Sequence, residues 1–282
     1  MPCSAAMEQP ADRSEATAPP AGAPAENAQA GAVQEVTAAV LIIGNEILSG
    51  RTKDANLGWL AERLYALGIR MREARVVSDV EADILAAVDA LRQRYDYVFT
   101  TGGIGPTHDD ITSACIAKAF GVPLERNAEA VRRLERHYAP GQLNEARLRM
   151  ADIPRGATLV DNPVSGAPGF QIGNVVVLAG VPAIMQAMFD GLKTGLVGGA
   201  PLFAKTVRCL VPEGILAEGL GRIQGRYAQV EIGSYPFFRN QQFGVSLVLR
   251  STDPDALGRA TAEVAELVTR LGGAPAIEDG QG

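Results

Sequence analysis

Residues 97–112 are the segment whose types and spacing point most directly to chemistry. Tyr97-Val98-Phe99-Thr100 runs into Thr101-Gly102-Gly103-Ile104-Gly105-Pro106, then Thr107-His108-Asp109-Asp110-Ile111-Thr112. The apolar start reads as a strand, the glycines and proline as a turn, and residues 110–120 as a helix stopped by Gly121. Glycines let backbone N–H groups approach an anion, and a helix N-terminus adds about half a positive charge. That is a geometry for holding phosphate. The other reading is a plain tight turn with Asp109 or Asp110 as N-cap. The run is neither a Walker A loop, lacking Gly-Lys-Ser/Thr, nor Gly-x-Gly-x-x-Gly.

Asp109 and Asp110 are adjacent, so both cannot cap one N–H group. A carboxylate beside a phosphate is costly unless a cation lies between them. Mg²⁺ suits that arrangement, taking one or two carboxylates, phosphate oxygens and water. A metal-assisted phosphoryl or nucleotidyl reaction follows as the expected chemistry.

Three more loops leave the carboxyl ends of predicted strands. Gly44-Asn45-Glu46-Ile47-Leu48-Ser49-Gly50-Arg51 follows the first, continuing through Lys53, Asp54 and Asn56. Ser78-Asp79 follows the second, and Ala179-Gly180-Val181-Pro182 a later one. Glu46, Asp79 and Asp110 are thereby delivered towards one sheet edge. Alone, Asp79 reads as a helix cap with Ser78, and Gly180-Val181-Pro182 as a structural strand-to-helix turn. His108 sits in the glycine loop; His137 lies among Arg132, Arg133, Glu135 and Arg136 and reads as solvated. Trp59 and Cys115 read as core.

The elements that must position these loops are legible from periodicity. Residues 38–43 are continuously apolar, the mark of a strand buried on both faces. Leu57, Leu60, Ala61, Leu64 and Leu67 have helical spacing, with Asp54 as N-cap and Gly68 as stop. Residues 70–77 form a second strand. Ser78 and Glu81 make a capping-box pattern before Ile84, Leu85, Val88 and Leu91. The order βαβαβα predicts a parallel sheet with helices on both faces, an α/β fold. Helical stretches at 127–138 and 144–150 follow, then strands at 169–172 and 175–178 and a helix with Ile184, Met185, Met188, Phe189 and Leu192. After the glycine-rich residues 195–201 the pattern becomes βαββα. That is a small α+β module ending in a helix capped by Asp253-Pro254.

Composition bounds the rest. The chain has 282 residues, is 47% hydrophobic and 21% charged, and carries a net charge of −6. An acidic chain argues against binding nucleic acid through phosphates. No apolar run reaches the roughly 18 residues of a membrane span. The three cysteines, Cys3, Cys115 and Cys209, form no disulfide framework or metal clip, which fits a reducing cytoplasm. With only two histidines there is no His-rich metal site. Residues 1–36 hold five prolines, eleven alanines and a net charge of −4, and read as a disordered acidic tail. The expected division is 1–36 tail, 37–198 main domain, 199–272 small module and 273–282 C-terminal tail.

Residues 44–50, 101–112 and 162–170 with 179–182 resemble the MoaB/Mog molybdopterin-binding domain. The order of the four motifs is most similar to the N-terminal part of competence/damage-inducible protein A (CinA). FAD synthase N-terminal domains are similar too, including Ile232-Gly233-Ser234-Tyr235-Pro236 in the small module. The resemblance spans about residues 38–272. It implies a MogA-like three-layer α/β/α domain with a mostly parallel sheet. It also implies either adenylylation of molybdopterin or metal-dependent hydrolysis of a nucleotide pyrophosphate such as ADP-ribose or FAD.

Carried onto this chain, Asp110 matches the motif aspartate and Asp79 the acid after the second strand. Thr101, Gly102, Gly103 and Gly105 match the phosphate-holding loop. Two positions depart from the pattern. His108 and Asp109 stand where MogA-type loops tend to carry basic residues, which favours extra metal. Ala183 stands where relatives often have Ser. Long CinA proteins continue into an amidohydrolase domain that deamidates nicotinamide mononucleotide. The ten residues after the last helix leave no room for it, so no deamidase activity is expected.

The expected protein is a cytoplasmic, metal-dependent nucleotide pyrophosphatase. Asp110, Asp79 and Glu46 are its catalytic candidates, and Asp110 and Asp109 its ligands for a divalent ion, Mg²⁺ first, with Mn²⁺ or Co²⁺ as alternatives. Thr101, Gly102, Gly103, Gly105, Thr112, Gly44, Asn45, Gly180 and Pro182 are the phosphate- or nucleotide-binding candidates. The rival enzyme is a molybdopterin adenylyltransferase using Arg51, Lys53 and Lys118 on the pterin phosphate. The non-enzymatic rival is a binding module without turnover. The expected partner is a nucleotide or pterin, with no nucleic acid or membrane. An edge of the small module's sheet suits pairing in a homo-oligomer.

Overall fold

Six consecutive apolar residues must bury both faces of the strand they form. In the computed structural model, which describes residues 35–239 and 241–280, residues 38–43 lie in β1 (Val36–Ile43). Ala39, Leu41 and Ile43 pack with Ile84, Val88 and Ile116 on one side. Ala38, Val40 and Ile42 pack with Leu60, Leu64 and Phe189 on the other. Full burial of a Leu or Ile side chain contributes about 1.5–3 kcal/mol, so β1 anchors two cores at once.

The chain continues through α1 (Asn45–Leu48), α2 (Asn56–Ala66), β2 (Ile69–Val77), α3 (Glu81–Arg92), β3 (Tyr97–Thr101) and α4 (Thr112–Ala119). Next come β4 (Leu124–Arg126), α5 (Ala128–His137), α6 (Glu145–Leu148), β5 (Asp152–Pro154), β6 (Thr158–Val160), β7 (Gly169–Ile172), β8 (Val175–Leu178) and α7 (Pro182–Leu192). The small module comprises β9 (Phe203–Cys209), α8 (Glu213–Arg226), β10 (Glu231–Arg239), β11 (Gln242–Ser251), α9 (Pro254–Arg270) and β12 (Ala276–Gly280).

The main sheet has the order β2-β1-β3-β8-β7-β6. β2, β1, β3 and β8 are parallel; β7 and β6 close one side as antiparallel strands. From β1 the chain moves out to β2 and returns to β3 on the other side. The topological switch point therefore lies between β1 and β3, where open α/β sheets bind ligands off the strands' carboxyl ends. The register aligns Val77 with Ile43, Ile42 with Thr101, and Thr101 with Leu178, so the loops after all four parallel strands start in one row.

Several local expectations need revision. The helix expected over residues 110–120 begins at Thr112, because Asp110 is drawn back onto the turn before it. The Ser78–Glu81 capping box does not form: Ser78 Oγ donates to Asp83 and Glu81 accepts from Lys118. Residues 276–280, expected within a C-terminal tail, form β12 and pair antiparallel with β9. The 1–36 tail lies outside the described residues except for its last two; Val36 opens β1, and Glu35 pairs with Arg70 and Arg72.

In the module, four antiparallel strands in the order β10-β11-β9-β12 are backed by α8 and α9. Val245, Leu247 and Leu249 of β11 are buried against those helices, so Ser246, Val248 and Arg250 take the opposite face. Asp253 caps α9 as expected, its carboxylate accepting from the N–H groups of Asp255 and Ala256. Among the described residues no helix is long and apolar enough to cross a membrane.

Candidate functional site

Gly102 follows Thr101 directly at the end of β3 and has φ 102°, which side chains disfavour. A Cβ there would stand 2.1 Å from the Ile43 carbonyl oxygen. Gly103 has φ 66°, and a Cβ there would stand 2.2 Å from Thr112 Oγ1. The glycine loop is thus pressed into the β1–β3 crevice by its own backbone. Gly102 N–H donates to the Leu178 carbonyl at 3.3 Å, which ties the loop to the end of β8. Thr112, fully buried, clamps it from below: its N–H donates to the Gly103 carbonyl and its hydroxyl to that of Gly102, each at 3.0 Å.

Asp110 closes the loop on itself. Its Oδ2 accepts from the Thr107 N–H at 2.8 Å and from the Thr107 hydroxyl. Asp110 also lines a hollow of about 240 Å³ with Gly105, Arg149 and Asp152. Asp109 is exposed, has His108 Nδ1 3.9 Å from its carboxylate, and is held below the usual carboxylate range chiefly by hydrogen bonding from Thr107.

Asp79 acts on the neighbouring loop, its Oδ2 accepting from Asn45 N–H at 2.8 Å. It is therefore a clamp on the start of α1 and not a cap for α3, whose N-terminus has no side-chain cap. Glu46 is exposed and folds its carboxylate back over Gly44. The three acids share one sheet edge without forming one cage: among the described residues no three His, Cys, Asp or Glu side chains gather as a metal site.

Asn56 was not among the expected site residues. It opens α2, is only 4% exposed, and donates from Nδ2 to the Gly180 carbonyl at 2.8 Å. Among the described residues its buried Oδ1 has no hydrogen-bond partner, and neither has Thr101 Oγ1. Such groups are costly unless something pairs with them. Gly180 and Pro182 lead into α7, whose N-terminus, like that of α4, lacks a side-chain cap. Two uncapped helix starts and two orphaned polar atoms thus belong to loops off the switch-point row.

The expected cations fare differently. Lys118 is bound to Glu81, across α3 and α4. Arg51 and Lys53 are exposed. Arg149, unexpected from the sequence, donates to the Pro106 carbonyl at 2.7 Å and borders the hollow beside Asp110. The residue 162–170 motif is a structural loop. Asn162 Oδ1 accepts from the N–H groups of Val164 and Ser165, while its Nδ2 donates to Ser165 Oγ and the Ala167 carbonyl.

Comparison with known proteins finds two matching families. A family described as "Probable molybdopterin binding domain" matches residues 39–197, and "FAD synthase, middle domain" matches residues 201–271. A "Probable FAD synthase" of Caenorhabditis briggsae is 30% identical over 262 residues, covering 83% of this chain and 50% of its own length. A "CinA-like protein" of Anaeromyxobacter dehalogenans is 40% identical over 157 residues, 54% of this chain and 38% of its own. The chain therefore spans half or less of these two relatives. The crystal structure of CinA from Thermoplasma acidophilum superposes with a TM-score of 0.54 at 34% identity, covering 57% of this chain and 99% of that one. The chain belongs to the MoaB/Mog family of molybdopterin-binding domains, with CinA-like relatives.

Proposed function

We propose that the switch-point site hydrolyses a nucleotide pyrophosphate of the ADP-ribose or FAD class. The observation that carries this reading is the crevice itself. Gly102 and Gly103 bring bare backbone between β1 and β3, and the orphaned Thr101 Oγ1 and Asn56 Oδ1 stand on the adjoining strand end and helix start. A diphosphate would take the N–H groups of Gly103, Ile104 and Gly105, those of Gly102 and Thr107 being engaged, and the Thr101 hydroxyl. Asn56 Oδ1, an acceptor in need of a donor, would take a sugar hydroxyl. The resemblance of the two segments to CinA-like and FAD synthase sequences supports a nucleotide over an unrelated anion.

A divalent ion fits the donor set only when the substrate completes its shell. Among the described residues Asp110 keeps Oδ1 free of hydrogen bonds while Oδ2 holds Thr107, and no three His, Cys, Asp or Glu side chains gather as a metal site. Asp110, with Asp109 as the second candidate, would hold an ion of the Mg²⁺ type together with phosphate oxygens and water. When bound, such an ion neutralises charge on the diphosphate. Asp79 holds the Asn45 end of the pocket in place, and Glu46 is the candidate base.

The second reading is adenylyl transfer to molybdopterin. Arg149 favours it, since it puts beside the hollow a cation that could face a pterin phosphate. One assay separates the two: release of nucleoside monophosphate from ADP-ribose, FAD and ATP, with and without Mg²⁺, Mn²⁺ or Co²⁺. Metal-dependent cleavage of ADP-ribose or FAD is the expected result. No cleavage of either, with ATP consumed only when molybdopterin is supplied, would establish the second reading.

A further inference from the structure

A cleft of about 530 Å³ lies away from the switch-point site, between α2 and β2 on one side and the helix-free face of the module's sheet on the other. Its size is that of a small-molecule pocket. Much of its wall is apolar, from Ala61, Met71, Leu202, Ala204 and Val248. Three guanidinium groups also line it, and two are already neutralised. Arg70 donates to Glu231 Oε1 at 2.7 Å and lies 2.9 Å from Glu35; Arg72 is bonded to Glu35.

Arg250 differs. It is half-buried beside the Tyr235 and Tyr65 phenols, and among the described residues no carboxylate lies within ion-pair distance of it. Its guanidinium stands 5.8 Å from the centroid of the Tyr65 ring. Tyr65 Oη, also in this wall, is buried and among the described residues has only the Arg250 guanidinium alongside it, without a well-formed hydrogen bond. Burial pushes the Tyr65 phenol up, against the pull of the Arg250 charge, so it stays a proton donor at neutral pH. A half-buried cation with no carboxylate partner, beside a buried hydroxyl whose proton has no acceptor among the described residues, is an arrangement that an anion would complete.

We propose that this cleft binds an organic monocarboxylate with a flat apolar body. Arg250 and the Tyr65 hydroxyl meet the carboxylate, and Met71, Leu202 and Val248 meet the body. A phosphate monoester is the poorer ligand, because its second charge needs another free cation and Arg70 and Arg72 are engaged. The site draws one wall from each part of the chain, so its ligand would hold the module against the main domain. Nothing in this proposal depends on the reaction at the switch point.

Benzoate is the probe, titrated calorimetrically into the full chain, with neutral benzamide and phenyl phosphate as comparisons. Saturable benzoate binding is expected, with both comparisons at least about tenfold weaker. Arg250→Met should weaken benzoate about tenfold or more, and Tyr65→Phe about threefold. Ala61→Phe fills the cleft from α2, leaves every charge in place, and should abolish binding; it decides the matter if Arg250→Met fails to fold. No saturable benzoate binding at millimolar concentration, unchanged binding in Ala61→Phe, or phenyl phosphate binding more tightly than benzoate would overturn the proposal.

Discussion

The carbonyl oxygen of Ile43 stands 2.1 Å from where a Cβ on residue 102 would lie, so the ends of β1 and β3 approach as closely as a glycine permits. Gly102→Ala meets two penalties there. Its φ of 102° costs a side-chain-bearing residue about 1–3 kcal/mol. The clash is with backbone, which cannot swing aside as a side-chain tip can. The variant is expected to melt at lower temperature and to lose at least about 100-fold in turnover, since loop placement sets the reacting geometry. Thermal melts and the ADP-ribose assay check both. Wild-type values in each would take the loop out of the site.

Asp110→Asn separates charge from shape. The amide oxygen can still accept from the Thr107 N–H, so the turn at residues 105–110 is expected to persist and the melting temperature to hold. The charge facing the hollow is lost. If Asp110 organises an ion against the diphosphate, turnover falls about 100-fold or more. Turnover within about twofold of wild type would remove Asp110 from the mechanism.

Cys115 gives a pH-dependent expectation. Burial pushes its thiol up to about 11, with Glu81 adding to the rise and Lys118 opposing it. A thiol whose folded pKa exceeds its unfolded value, about 8.5, favours folding below that unfolded value. The contribution fades as pH rises from about 8.5 towards 11. At pH 8 the folded chain should alkylate at Cys115 at least about 100-fold more slowly than the unfolded chain, because thiolate is the nucleophile. Mass spectrometry of iodoacetamide-treated protein, with and without denaturant, reads this directly. Rapid alkylation of Cys115 in the folded chain would show a thiol far more accessible than its 1% exposure implies.

Much of the scaffold is legible from the residues alone, for identifiable reasons. Residues 38–43 read as a strand buried on both faces and Asp253-Pro254 as a helix start, and both form as read. The glycine loop announces itself because Gly102 and Gly103 occupy conformations few other residues tolerate. What escapes the sequence depends on long-range partners. Ser78 and Glu81 have capping-box spacing, yet Asp83 and Lys118 outcompete the backbone for them. β12 is short and mostly exposed, so only its pairing with β9 marks it as a strand. Arg149 reaches Pro106 across 43 residues of chain, and Asn56 meets Gly180 across 124. No local pattern encodes either contact.

Asn56 offers the sharpest test of what the crevice holds. Its Nδ2 already supports the Gly180 carbonyl, while its buried Oδ1 has no partner among the described residues. Asn56→Asp keeps an acceptor at the position but removes the donor to Gly180 and places a buried charge there, so it should destabilise the fold. Asn56→Ala removes both groups and leaves the Gly180 carbonyl without its donor. Loss of that hydrogen bond costs about 1–3 kcal/mol if the carbonyl stays dry, and less if water enters. The ligand effect is read separately. ADP-ribose should raise the melting temperature of the wild-type chain and raise that of Asn56→Ala much less. KM should rise about tenfold, the weight of one sugar hydrogen bond. Equal ligand-induced shifts in the two proteins would mean that Asn56 only braces the β8–α7 turn, and the orphaned oxygen would then belong to a buried water and not to substrate.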